Sequence, residues 1–295
     1  MNTFWTEALG AEIRFRDAGG WRTRSIEAGQ GDAVILMGGL TGHAEAFIRN
    51  VLPLAERGLN VHAIDALGHG LTDRPVDVTY HAPVFTDHLL RYLDAIGVER
   101  AHLVGQSLGG WTALRTALTH PDRVGRIVSV TGAGLLLDDA GRREESERVH
   151  AQVKAVTAKA AAAPTRDSVR ARLEWLMVNP STVTDELVEC RYRYYTLPGT
   201  EEAQAKLIAE QPGEGNRAYM LREEDLKRIG HETLVLWTDH NPTTPAEVGR
   251  RAGEILPRGS FDMITSAGHW PMFEQPEQFN RIVGDFLTKG SGAAG

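Results

Sequence analysis

The run Gly105-Gln106-Ser107-Leu108-Gly109-Gly110 follows the apolar stretch Ala101-His102-Leu103-Val104. This is G-x-S-x-G at the point where a strand should turn sharply into a helix. Small residues on both sides of a serine allow a strained turn that lifts its hydroxyl clear of the backbone. Such a hydroxyl is a poor nucleophile until a base removes its proton. The pattern therefore calls for a histidine, a group to orient that histidine, and donors for a developing oxyanion. His269, in the turn Gly268-His269-Trp270 after the last strand-like run, is the expected base. Leu108 follows the serine at a helix N-terminus, where its N–H faces developing negative charge.

Composition narrows the class. The chain has 295 residues, 42% hydrophobic and 24% charged, with a net charge of −7. That balance fits a soluble globular enzyme and argues against a nucleic-acid partner, which usually needs a basic face. The single cysteine, Cys190, excludes an intrachain disulfide framework and suits a reducing cytoplasm. No basic-then-apolar leader is visible, and no apolar run approaches the roughly 20 residues of a membrane span. Histidine spacing suggests no metal site. The end, 290–295, is glycine- and alanine-rich and reads as a flexible tail.

The elements that would position these residues alternate. Ala33–Met37, Asn60–Asp65, Ala101–Val104, Val124–Val130, Thr233–Trp237 and Phe261–Ile264 read as strands. Helical spacing covers Thr79–Ile96, the stretch from Ser107 to His120, Ala246–Ile255 and Pro276–Leu287. This βαβα order predicts a mostly parallel sheet with helices on both faces. Residues 11–28 alternate and predict an antiparallel hairpin at its edge. Between 134 and 222 the pattern becomes helical, with Arg142–Ala163, Arg166–Met177 and Asp185–Tyr195 as expected helices. The domain reading is a core of 1–133 and 223–289 with 134–222 inserted as a helical lid.

Four motifs in this order resemble the α/β-hydrolase superfamily: Gly38-Gly39-Leu40-Thr41-Gly42, Asp65-Ala-Leu-Gly-His-Gly70, the G-Q-S-L-G turn, and Ser266-Ala-Gly-His-Trp270. The resemblance implies the α/β-hydrolase fold, Ser107 as nucleophile, Leu40 after the Gly38-Gly39 pair as the second oxyanion donor, and no cofactor. It also exposes a departure. Relatives carry an aspartate four residues after the strand tryptophan. Here, four residues after Trp237 and 28 before His269, stands Asn241. An asparagine can accept the histidine N–H but brings no full charge to an imidazolium. Asp239, or an acid near the lid such as Asp138 or Asp139, is the alternative. A second departure is Gly38, where the family has histidine.

Within the superfamily three stretches resemble the meta-cleavage product hydrolases, which cut a carbon–carbon bond in 2-hydroxy-6-oxo-dienoates. These are Thr41–Asn50, Gly268–Arg281 and Thr184–Tyr192. The resemblance implies that Arg191 grips a substrate carboxylate, that Trp270 walls the pocket, and that Gln106, where the family has asparagine, lies at the substrate. Trp175, Tyr192 and Tyr195 are further candidates for the lining. An ester, lactone or amide hydrolase of the same fold is the alternative. A non-hydrolytic binding protein, lyase or oxygenase is the third reading, kept open by Asn241. The expected partner is a small molecule, in the cytoplasm, and a homo-oligomer is compatible with the sequence.

Overall fold

The computed structural model describes residues 3–137, 151, 155, 164–211 and 214–289. Asp138, Asp139, the expected helix Arg142–Ala163 (apart from 151 and 155) and the tail lie outside the described residues.

The eight strands are β1 (Glu12–Asp17), β2 (Arg22–Ala28), β3 (Asp32–Met37), β4 (Leu59–Ile64), β5 (Ala101–Gln106), β6 (Val124–Val130), β7 (Thr233–Thr238) and β8 (Gly259–Ile264). They form one sheet in the order β1-β2-β4-β3-β5-β6-β7-β8. β1 and β2 form the expected antiparallel hairpin, β2 runs antiparallel to β4, and the other pairs are parallel. Runs such as Ala33-Val-Ile-Leu-Met37 are buried along their whole length, because both faces of a parallel sheet are covered by helices.

Seven described helices reach ten residues or more: α1 (Ala82–Ala95), α2 (Leu108–Thr119), α3 (Arg166–Leu176), α4 (Asp185–Tyr195), α5 (Thr200–Glu210), α6 (Ala246–Ile255) and α7 (Pro276–Thr288). Their causes are local. Pro at the first turns of α1 and α7 fits a helix start, where the missing N–H has no intrahelical partner anyway. α3 and α4 begin at Thr165 and Thr184, whose hydroxyls accept the N–H groups of Ser168 and Leu187. α5 was not anticipated, although Ala203, Gln204, Leu207 and Ile208 give it an inward stripe at helical spacing.

Parallel register brings the strand ends together. Met37 pairs with Gly105 and Gln106 with Val130, so the carboxyl ends of β3, β5 and β6 share one edge. Ligands of open α/β sheets bind beyond that edge. The helices α3, α4 and α5 lie in the segment that leaves the core after β6 and returns before β7, and the backbones of Leu135 and Leu221 meet at its neck.

Candidate active site

Ser107 sits between β5 and α2 at φ 53°, a left-handed conformation that a side chain rarely adopts. Strain of this kind costs on the order of 1–3 kcal/mol and persists where the surroundings enforce it. Two glycines make the turn feasible. A Cβ on Gly105 would lie 2.1 Å from the Gly109 carbonyl carbon, and one on Gly109 would lie 2.3 Å from the Met37 carbonyl oxygen. The Ser107 N–H donates to the Val130 carbonyl, and the Ser107 carbonyl accepts from Trp111 and Ala133. The side chain is thus held by its own backbone.

The Gly38–Gly42 loop lies against this turn. A Cβ on Gly39 would fall 3.0 Å from the Ser107 Cβ and 2.6 Å from Gln106 Oε1, so this position requires glycine through close approach. Leu40 follows it, and Leu108 opens the 12-residue helix α2, whose first N–H groups have no intrahelical acceptor. These are the two expected donors.

His269 is buried and clamped on all sides. Its N–H donates to the Leu176 carbonyl at 2.7 Å. Its carbonyl accepts from Gln106 Nε2 at 3.0 Å and from Thr131 Oγ1 at 3.1 Å. The preceding Gly268 carbonyl accepts from Thr238 Oγ1, and the Gly268 N–H donates to Glu274. Gln106, expected at the substrate, therefore directs its amide N–H to the histidine loop, while its Oε1 has no hydrogen-bond partner and faces Gly39.

Behind the histidine, Nδ1 lies 2.8 Å from Asn241 Oδ1 and 3.2 Å from Thr243 Oγ1. Asn241 Nδ2 donates to the Thr244 carbonyl at 2.9 Å, and Oδ1 also accepts from the Thr243 hydroxyl at 3.0 Å. This network decides the amide's orientation. The NH₂ end is engaged by a carbonyl, so the oxygen must face the ring, and Nδ1 must carry the proton. Nε2 is then left with its lone pair free to accept a proton. Asp239 takes no part, since its oxygens accept the N–H groups of Ser266 and Ala267. Thr243 was not anticipated; its signal was the Asn241-Pro-Thr243 turn, in which an asparagine side chain bonds two residues onward. Burial first, and the nearby Arg172 charge second, push the His269 pKa down to about 3.

Two buried arginines come from the helices between β6 and β7. Arg191 on α4 is buried, donates through Nη2 to the Thr41 carbonyl at 2.5 Å, and stacks 5.1 Å from the Trp270 ring. Tyr195, one turn on, donates to Thr41 Oγ1 at 3.0 Å. Nε and Nη1 of Arg191 have no partner. Arg172 on α3 is also buried, lies 4.9 Å from the Trp175 ring, and likewise has Nε and Nη1 unpaired. It was not anticipated from sequence, although it lies on the Val169, Leu173, Leu176 stripe of its helix.

Among the described residues one group of metal-ligand types also comes together: His43, Glu45 and Cys190. The Glu45 carboxylate is already bound by both Nη atoms of Arg24 at 2.7 Å, and burial pushes the Cys190 thiol up to about 12. A protonated thiol beside a fixed guanidinium makes a poor cation site.

A strained serine and a clamped histidine at the sheet's carboxyl edge are arranged as a hydrolase site would need. The family profile described as the alpha/beta hydrolase fold matches residues 32–276, and the chain belongs to that family. Several of its relatives are dienoate hydrolases by name. The chain is 30% identical to the 2-hydroxy-6-oxo-2,4-heptadienoate hydrolase of Pseudomonas putida, over 95% of this chain and 98% of that protein. It is 30% identical to the 2-hydroxy-6-oxononadienedioate/2-hydroxy-6-oxononatrienedioate hydrolase of Paraburkholderia phymatum, over 88% of each chain. Among solved structures, a meta-cleavage product hydrolase from Pseudomonas fluorescens superposes with a TM-score of 0.80 at 29% identity, covering 95% of this chain and 99% of that one. No described helix is long and apolar enough to cross a membrane.

Proposed function

We propose that the protein hydrolyses the C5–C6 bond of a 2-hydroxy-6-oxo-dienoate, with Ser107 as nucleophile, His269 as base and Asn241 orienting His269. The observation that carries this reading is Arg191: a buried guanidinium with two unpaired N–H sites, stacked on Trp270 beside the oxyanion loop. A planar cation in an apolar pocket is suited to a carboxylate. The segment 134–222 acts as the lid that brings it there.

Each group then has a task. Arg191 holds the C1 carboxylate while the 2-hydroxyl proton moves to C5, leaving a ketone at C2. Ser107 Oγ bonds to C6 as His269 Nε2 takes its proton, and the oxyanion on C6 faces the N–H groups of Leu40 and Leu108. The C5–C6 bond breaks, and its electron pair passes through the conjugated chain to the C2 oxygen, which takes the proton from His269. Water, deprotonated by His269, releases the acid from Ser107. The neutral ring at low pKa is available as a base across the physiological range, but it gains its proton with little driving force.

The test is a substrate panel: 2-hydroxy-6-oxo-2,4-heptadienoate, 2-hydroxy-6-oxononadienedioate and 4-nitrophenyl acetate. Arg191→Gln should lose dienoate turnover by about 100-fold or more while ester cleavage stays within a few-fold. Equal retention of both activities removes the carboxylate grip and favours an ester hydrolase. Failure of a fluorophosphonate to label Ser107 in folded, ligand-binding protein points to non-hydrolytic use of the pocket.

A further inference from the structure

Arg172 has no task in the chemistry above, yet its position is demanding. It projects from the buried face of α3 one turn before Leu176, and the Leu176 carbonyl holds the His269 N–H. Gly268 is glycine for the same contact, since a Cβ there would lie 2.3 Å from the Leu176 oxygen. Arg172 thus springs from the turn of α3 that meets the histidine loop, and its charge acts on His269, whereas Arg191 meets Thr41 and Trp270.

α3 and α4 pack together, pinned by the Arg166–Glu189 and Arg170–Asp185 pairs, which places both buried guanidiniums on one apolar wall. Among the described residues neither Arg172 nor Arg191 has a carboxylate partner, and each retains an unpaired Nε and Nη1. Burial first, then repulsion by Arg191, draws the Arg172 pKa down to about 10. Two buried like charges disfavour each other, and an isolated buried charge costs several kcal/mol. A ligand with one carboxylate satisfies one of them; a ligand with a carboxylate at each end satisfies both.

We infer that Arg172 is a second carboxylate-binding residue, on the acyl side of the scissile bond, and that the preferred substrate is a dicarboxylate dienoate. This rests on the C–C hydrolase reading. In such a substrate the C1 carboxylate meets Arg191, the C6 carbonyl meets Ser107, and the terminal carboxylate of the acyl arm meets Arg172. The acid released is then itself a dicarboxylate.

The experiment compares kcat/KM for the nonadienedioate, whose acyl product is succinate, with that for the heptadienoate, whose acyl product is acetate. Wild-type enzyme should favour the dioate by at least tenfold, and succinate should inhibit it at least tenfold more tightly than acetate. Arg172→Gln should lower kcat/KM for the dioate by about 100-fold, mostly through KM, and change that for the heptadienoate by less than about threefold. Arg172→Lys should recover part of the loss. A wild-type preference for the heptadienoate, no succinate advantage, or equal loss of both substrates in Arg172→Gln overturns the second site. The inhibition measurement uses wild-type protein and stands even where the variant fails to fold. Turnover of neither dienoate by wild type instead overturns the C–C hydrolase reading itself.

Discussion

The molecule buries arginines in two very different ways. Arg24, on β2, is surrounded by anions: its Nε and Nη2 reach Asp65 at 2.7 and 3.1 Å, and both Nη atoms reach Glu45 at 2.7 Å. Tyr194 adds its hydroxyl to both Arg24 and Glu45. Burial draws the Arg24 pKa down, but the charges of Asp65 and Glu45 reverse that and leave it raised. The Asp65 carboxylate also accepts the N–H groups of Ala44 and Leu71, and Gly70 is glycine because a Cβ would lie 2.1 Å from Asp65 Oδ2. Thus the Asp65–Gly70 motif builds a saturated anchor. Arg172 and Arg191, buried to a similar degree, keep open donors. A saturated buried charge fixes structure; an unsaturated one is ready for a ligand.

That contrast can be broken at both ends. The largest stability effect belongs to Arg24→Met. It leaves Glu45 and Asp65 buried without their cation and should cost about 3–5 kcal/mol, read as a lower urea midpoint. Arg191→Gln should do the reverse, losing about 100-fold or more in dienoate kcat/KM with the urea midpoint unchanged or higher. If Arg24→Met keeps its stability, or Arg191→Gln loses several kcal/mol, the distinction between anchor and binding site collapses.

Asn241→Asp sharpens the catalytic side. An aspartate there carries charge toward the imidazolium, so turnover should rise about tenfold and the acid limb of kcat/KM should move up in pH. The gain is modest because Thr243 and Thr244 already fix the ring tautomer. In a serine protease the Asp→Asn change costs about 10⁴ in kcat, largely through the wrong tautomer. Thr243→Ala should therefore depress activity in the wild-type background more than in Asn241→Asp, as rate measurements on the four combinations will show.

The effects of pH are smaller per unit and accumulate gradually. The His269 pKa is about 3 in the folded protein and ordinarily 6.5. Between those values the unfolded chain binds a proton that the folded one does not. Stability therefore falls as pH drops from 6.5 toward 3, by up to about 1.4 kcal/mol per unit from this group, and is unaffected by it above 6.5. Arg172→Gln removes one of the two causes, so its kcat/KM profile on the heptadienoate should show an acid limb at slightly higher pH. An unshifted limb means that the Arg172 charge does not reach the ring.

Much of the site was legible because its constraints are local. The glycines around Ser107 are dictated by a turn only a few residues long, and the strand runs by burial on both faces of the sheet. The spacing from Asn241 to His269 follows from one strand–helix–strand unit, β7–α6–β8, so the motif could nominate that pair. What sequence left open was which atoms those residues face. Asp239 and Asn241 are two residues apart, and only the folding of the loop onto Ser266 and Ala267 engages the carboxylate and leaves the amide to the histidine. Gln106 is similar: its place beside Ser107 was evident, its amide's turn toward the His269 carbonyl was not.

The chain by itself nominated a candidate nucleophile, a candidate base, and the strand edge that carries them, since steric limits and hydrophobic period act within a few residues. Tertiary structure alone decided the fate of its arginines. Arg24, Arg172 and Arg191 look alike in sequence, each among charged neighbours. Whether a guanidinium is buried with two carboxylates or with none depends on which helices and loops converge on it, and charge neutralisation in a low-dielectric interior is a property of that convergence.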